Sequence, residues 1–411
     1  MKSPQIEFEQ MIQRGCGLDV HQKTIVATVS GVDLEVSTRT FGTFTTQIEE
    51  LGMWLNSLSV THLAMESTGV YGKPVYNILE EDFEIILVNA RHIKNVPGHK
   101  TDKKDSEWIA KLLLSGLLKG SFVPPVRFRE LRDLFRYKRK LIAQRVAQRN
   151  RMHKILEDAN IKLASVVSDV FGVSGTLIIE ALIEGKEDPA YLADLAKGSL
   201  RKKIPDLQLA LQGKLSDHHR FMLITLRDSI HSIDGQIQAV ETRIDTYATE
   251  LQEPVEKLQT IPGVGKTTAI NILAETGNDM EVFLDHKHLA SWAGIAPGNN
   301  ESAGKKKSTR ITHGNKYLKT ALVEAAWAAS HTKDTYLNRK YKSMVARRSP
   351  KKALIAVAHK MLTAIYYILK NQELYAEPDD AKYMEKRKQA QIKKSLELLH
   401  ELGVQVDIRL N

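Results

Sequence analysis

The chain has 411 residues, 42% of them hydrophobic and 26% charged, and Lys plus Arg exceed Asp plus Glu by ten. That balance excludes a disordered chain, allows two or three domains with their own cores, and favours an acidic partner such as nucleic acid. The single cysteine, Cys16, excludes a disulfide framework or cysteine-based zinc site and suits the cytosol; MKSPQIEFEQ lacks an apolar signal core, and no run of about 18 apolar residues suggests a membrane span.

Residues 12–122 alternate strand-like and helix-like patterns. CGLDVHQKTIVATVS and TRTFGTFTT read as adjacent strands and QIEELGMWLNSL as a helix. The strand THLAMEST, the helix KPVYNILEE, the strand EIILVNA and the helix DSEWIAKLLLSGLL follow, before Pro124-Pro125 ends the block. Such alternation predicts a sheet covered by helices. Asp19 poses a problem on the first strand, because an ionised carboxylate removed from water costs several kcal/mol unless something positive offsets it.

Residues 126–252 form a helical middle. From Arg127 to Arg151 ten Lys or Arg stand against two acids on a helix-forming background. A solvated face would mix its signs, so Arg132, Arg136, Arg139, Lys140, Arg145 and Arg149 are candidate phosphate contacts. Further on, Leu223, Leu226, Ile230, Ile233, Ile237, Val240, Ile244, Tyr247 and Leu251 alternate at spacings of three and four. That period makes a coiled-coil seam, used for self-association, for antiparallel pairing with the basic helix, or within an intramolecular bundle.

The third block spans 256–372 and is mainly helical, followed by a polar helical tail at 373–411. IPGVGKTT is not a Walker A loop, since position 260 is Thr where glycine is required. It matches better a helix-hairpin-helix turn, in which Gly263, Gly265 and Lys266 grip a DNA phosphate without reading sequence, the alternative being a plain tight turn. The segment GNNESAGKKKSTRITHGNKYLK has no apolar period. It is either a flexible basic loop or the carrier of a nucleophilic serine, with Lys305, Lys306, Lys307, Arg310 and Lys316 supplying positive charge.

Four carboxylates complete the pattern. Glu66 stands at the C-terminal end of a strand, where open α/β sheets place working residues. Asp102 and Asp105 lie three apart at a helix opening; alone, they read as caps. With Asp19 they form the layout of a ribonuclease-H-like nuclease centre. Carboxylate oxygens are the hard ligands Mg²⁺ prefers, and gathered together they would repel one another without a cation. A divalent metal is then the partner of Asp19, able to activate an attacking oxygen and stabilise a leaving one.

GLDVHQKTIVATV, MESTGVY, TDKKDSEWIAKLL, IPGVGKTTAINILAETG and SAGKKKSTRITHGNKYLKTALVEAAWA together resemble the DEDD-type transposases of the insertion sequence 110 family. The resemblance implies a RuvC-like N-terminal domain of ribonuclease H fold, a coiled-coil middle, and a C-terminal transposase domain with a nucleophilic serine. It implies an acidic tetrad of Asp19, Glu66, Asp102 and Asp105 holding Mg²⁺, and Ser302 forming a transient phosphoserine link to a DNA end, with Ser308 the alternative. Family members often show two adjacent serines where this chain has Glu301 and Ser302. The resemblance also implies donor and target double-stranded DNA, a structured bridge RNA as guide, a homo-oligomer (dimer or tetramer) with composite sites, and a cytoplasmic, nucleoid-associated location. The competing readings are a structure-selective nuclease using the tetrad alone and a non-catalytic nucleic-acid-binding scaffold.

Overall fold

The stretch expected as one strand from Cys16 to Ser30 folds as two. β1 (Arg14–Val20) and β2 (Thr24–Gly31) run antiparallel with Asp19 opposite Val26. The polar residues 21–23 turn between them, closed by the His21 N–H donating to the Thr24 carbonyl at 2.9 Å. The computed structural model describes residues 11–66, 69–88, 102–118, 120–298, 300–302, 305–308, 310–311, 313–378 and scattered positions from 385 to 401; at 102–104, 300–302 and 305–308 it describes the backbone alone. The chain divides into two compact units, Met1–Val123 and Pro124–Asn411.

In the first unit, β3 (Leu34–Gly42), α1 (Thr45–Ser57), β4 (His62–Glu66), α2 (Gly72–Leu79), β5 (Glu84–Val88) and α3 (Asp102–Leu114) follow β2. The sheet order is β3-β2-β1-β4-β5; the first three strands are antiparallel, while β4 and β5 run parallel to β1. Alternate residues face opposite sides. Cys16, Leu18, Ile25, Ala27, Leu63 and Met65 bury with α1 and α2 on one face. Ala64 and Val88 bury on the other, with Ile109 and Leu113 of α3. Burial pushes the Cys16 thiol pKa up, so it is protonated and inert at neutral pH.

The second unit is helical. α4 (Val126–Asp158) leads into α5 (Leu163–Val166), α6 (Val173–Ile183), α7 (Pro189–Asp194), a 3₁₀ turn (Gly198–Lys203) and α8 (Ile204–Ala210). α9 (Asp217–Thr249) then returns antiparallel along α4, as shown by Lys138–Glu241 at 2.7 Å, Arg145–Asp234 at 2.7 Å and His219–Asp158 at 2.9 Å. The apolar seam is consumed here: Leu223, Leu226, Ile230, Ile233 and Ile237 are buried, packing with Leu141, Met152 and Leu156 of α4. Of the three uses the period allows, the chain shows antiparallel pairing with its own basic helix.

The remaining elements are α10 (Gln252–Gln259), α11 (Lys266–Thr276), α12 (His286–Trp292), a hairpin of β6 (Asn300–Ser302) and β7 (Lys305–Ser308), α13 (Lys316–His331), α14 (Tyr336–Val345) and α15 (Pro350–Asn371). This block and the α4–α9 hairpin form one unit, because α11 packs on α4. By length and composition α15 is apolar enough to cross a membrane, contrary to the expectation from sequence. Its Val357, Met361, Leu362 and Ile365 are nonetheless buried among α12, α13 and α14, the behaviour of a core helix.

Candidate active site

In the first unit two glycines set how closely α3 lies on β1. A Cβ on Gly17 would lie 2.2 Å from the Ser106 carbonyl oxygen and 2.4 Å from the Ala110 nitrogen, and one on Gly15 would lie 2.9 Å from Leu113. α3 therefore rests directly on β1 and runs opposite to it. Two strand residues advance roughly 6.6 Å, about as far as four helical residues. One step from Gly17 to Asp19 thus brings the first turn of α3, with Asp102 and Asp105, to the level of Asp19. A chain of hydroxyls fixes this register: Thr28 Oγ1 lies 2.8 Å from Ser106 Oγ and 2.9 Å from Thr38 Oγ1, with Thr28 and Ser106 fully buried.

Glu66 joins the same corner. β1 and β4 are parallel with Leu18 beside Met65, so Asp19 and Glu66 stand next to each other, one residue further along. Both are on the face that α3 covers, since neighbours in register share a face and Ala64 packs against α3. The Asp19 side chain is 16% exposed, and its Oδ2 lies 3.1 Å from His21 Nε2. Glu66 is half-buried and Asp105 exposed; the Asp102 side chain lies outside the described residues. Among the described side chains no three ligating groups close on one point. The donor set still fits a hard divalent cation: carboxylate oxygens on adjoining strands, with an acidic helix turn at their level.

In the second unit the serine segment is a β-hairpin. Ser302 ends β6 opposite Lys305 at the tip, whereas Ser308 pairs with Asn300 at the foot. Below the foot, the Gly298 N–H donates to the Arg310 carbonyl at 3.1 Å. Asn315 then caps α13, accepting from the Tyr317 and Leu318 amides, while its Nδ2 donates to Glu275 Oε2 at 2.7 Å. The side chains of Ser302, Lys305, Lys306, Lys307 and Ser308 lie outside the described residues; Arg310 and Lys316 are exposed, with the Lys316 ammonium 5.1 Å from the Tyr317 ring.

Several cations expected at phosphate are engaged within the protein. Glu275 is fully buried and receives Arg136 through two bonds of 3.1 and 2.9 Å, with Arg132 Nε at 3.2 Å. Burial pushes the Arg132 pKa down to about 10, the Glu275 charge opposing it, so Arg132 stays charged at neutral pH. Arg145 pairs with Asp234, and the Arg149 guanidinium lies 5.0 Å from the Phe171 ring centre. The one-signed charge of α4 is balanced by acids of α9 and α11, which local sequence does not reveal. Arg139 and Lys140 are exposed.

The glycine turn does join two helices, α10 and α11. Gly263 has φ +88°, and a Cβ there would lie 2.5 Å from the Ala325 carbonyl oxygen and the Ala329 nitrogen. Its conformation is thus demanded by packing on α13. Gly265 precedes α11, and Lys266 reaches Asp245 at 3.1 Å. No local motif announces the roles of Gly15 and Gly17, of Thr28 with Ser106, or of Glu275 with Asn315. The two glycines flanking Cys16 were the available signal, because alternate glycines on a strand leave room for close backbone approach.

Comparison with known proteins matches two stretches of the chain. The model of the DEDD transposases of insertion sequence 110 matches residues 16–161, and that of the transposase IS116/IS110/IS902 family matches 255–342. The chain belongs to the insertion sequence 110 family of transposases. The transposase for insertion sequence element IS1111A of Coxiella burnetii is 23% identical over 78% of this chain and 80% of its own. The transposase for insertion sequence element IS1328 of Yersinia enterocolitica is 23% identical over 64% of this chain and 69% of its own. The pilin gene-inverting protein of Moraxella bovis is 33% identical over 35% of this chain and 44% of its own. In this transposase family member the first match contains Asp19, Glu66, Asp102 and Asp105, and the second contains Ser302 and the glycine turn.

Proposed function

We propose that this transposase cleaves and rejoins DNA strands using its acidic corner and Ser302, with a bridge RNA of its own element selecting donor and target. The observation that carries the reading is the register that sets Asp19 beside Glu66 and draws the acidic turn of α3 to their level. The strand order β3-β2-β1-β4-β5 supports a ribonuclease-H-like, RuvC-like domain around it.

Asp19, Glu66, Asp102 and Asp105 would hold Mg²⁺, which supplies Lewis-acid stabilisation of the oxygens that attack and leave phosphorus. His21 holds one oxygen of Asp19 and thereby fixes the direction of its other lone pairs. The Ser302 hydroxyl, at the hairpin tip, loses its proton as its oxygen bonds to a DNA phosphorus. The ester bond to the departing strand breaks, and that strand's oxygen takes up a proton. The serine phosphodiester conserves the bond for rejoining, so no nucleotide triphosphate is required. Arg139, Lys140, Arg310, Lys316 and the hairpin lysines would meet the phosphates of double-stranded DNA or RNA, and Gly263, Gly265 and Lys266 would add a sequence-independent grip. A dimer or tetramer would bring an acidic corner and a serine hairpin from different subunits together, in the cytoplasm at the nucleoid.

Ser302→Ala tests the chemistry. It should abolish cleavage and the covalent protein–DNA adduct seen after denaturing electrophoresis. Persisting cleavage without an adduct would instead support hydrolysis by the acids alone, and unaltered cleavage by Asp19→Asn or Asp102→Asn would eliminate the metal reading. Sequencing RNA that copurifies with protein expressed alongside its flanking DNA tests the guide: absence of an RNA from those flanks removes it.

A further inference from the structure

We infer that the α14–α15 turn is a second, sequence-independent docking surface for the phosphate backbone of double-stranded DNA. It lies outside both family matches, the second of which ends at residue 342. Between Thr335 and Gln372 the sequence holds nine Lys or Arg and no Asp or Glu. Four of them, Arg347, Arg348, Lys351 and Lys352, fall within six residues, and every residue from Ala346 to Lys352 is exposed. Among the described residues no carboxylate pairs with these four, whereas Arg339 and Lys370 at the edges have Glu377 and Glu281.

Fold stability does not account for this placement. Pro350 opens α15, a helix of 22 residues whose first turn holds no acid. Lys351 and Lys352 are therefore cations at the positive end of a long helix dipole, next to two more cations, where acids are normally favoured. The N-cap Ser349 makes no side-chain hydrogen bond to that turn. Local choices that oppose the fold mark functional surface, and a polyanion resolves every conflict together. It would neutralise four like charges and accept from the helix's leading amides. The apolar face of α15 is buried within the unit, which argues for nucleic acid over a lipid surface. The turn has no Asn or Gln to read adenine edges, and charge matched to phosphate carries no sequence information.

The full chain and its R347Q/R348Q/K351Q/K352Q variant would be titrated against a duplex of unrelated sequence by fluorescence anisotropy, in EDTA, from 50 to 200 mM salt. Each neutralised phosphate contributes about 0.9 to the slope of log affinity against log salt, so four predict a decrease in steepness of about 3.6. Over that range wild-type affinity should fall roughly 150-fold more than the variant's. The variant's Tm should be unchanged or higher. An unchanged salt slope overturns the inference; if accompanied by a lowered Tm, it assigns the cations to the fold, and if by lost sedimentation with phosphatidylserine vesicles, to a membrane. The choice of DNA rests on the proposed function, but without divalent metal the assay involves no cleavage, so its outcome is separable from those of Asp19→Asn and Ser302→Ala.

Discussion

Gly17→Ala tests whether α3 sets the acidic corner. The added methyl would lie 2.2 Å from the Ser106 carbonyl oxygen and 2.4 Å from the Ala110 nitrogen, both backbone atoms of a packed helix. Side-chain rotation relieves neither clash, and restoring a 3.0 Å separation requires α3 to move by about 0.8 Å. Overpacking of this kind costs about 1–3 kcal/mol. A misplacement of about 1 Å in catalytic groups lowers rates on the order of 100-fold. Strand cleavage should therefore fall by about two orders of magnitude while the variant remains folded by circular dichroism, with a Tm several degrees lower. Gly52→Ala is the matched control. Its Cβ would meet side-chain atoms alone, Leu79 Cδ2 at 3.1 Å and Phe83 Cε2 at 4.0 Å, and a helical alanine gains roughly 0.5–1 kcal/mol over glycine, which offsets the small shift asked of Leu79, so Tm and cleavage should hold. Wild-type cleavage and Tm in Gly17→Ala would show that α3 does not control the acids.

Thr28→Val removes the hydroxyl that links Ser106 to Thr38, and should cost about 0.5–1.5 kcal/mol in urea unfolding of the first unit; an unshifted midpoint would argue against the hydroxyl chain. Glu275→Gln leaves the half-buried Arg132 and Arg136 without their buried carboxylate and should cost about 1–3 kcal/mol in the second unit, a result that an unshifted denaturation midpoint would contradict. Leu141→Ala, at the hairpin's inner seam, should cost about 2–5 kcal/mol yet leave the mass in light scattering unchanged; a lower mass would mean that the seam also joins subunits. Burial, with Lys360 and His286 adding to it, depresses the His359 pKa below 6.5. The unfolded state therefore binds the extra proton first, and stability present above pH 6.5 declines as pH falls through the folded pKa. His359→Gln should flatten the dependence of Tm on pH between 7 and 5, and an identical slope would refute this assignment.

Features with a local period or motif were legible in the sequence. The strand and helix alternation of residues 12–122 anticipated a covered sheet, and the seam from Leu223 to Leu251 anticipated the long helix that buries it. Within the first unit, the break at residues 21–23 was hidden because Val20 and Thr24 continue the strand-like pattern on either side. The pairing of α4 with α9 is one of several that the sequence allows, since an apolar stripe specifies burial but not the partner. Least legible were charges that cancel over distance: Arg136 and Glu275 are 139 positions apart, and neither neighbourhood announces the other.

That long-range cancellation changes where the protein's positive field resides. α4 carries the densest run of cations, yet Arg132, Arg136, Lys138 and Arg145 each meet an acid from α9 or α11. Removing those cations would mainly strand buried or half-buried carboxylates, so lost DNA binding in such variants would report on folding. Arg139 and Lys140 face outward on the same helix, and Arg347, Arg348, Lys351 and Lys352 are exposed on the α14–α15 turn. An excess of ten positive charges is effective toward a polyanion only where acids of the same chain do not screen it closely. Charge substitutions at these outward positions therefore separate binding from stability, whereas those at the Glu275 cluster confound the two.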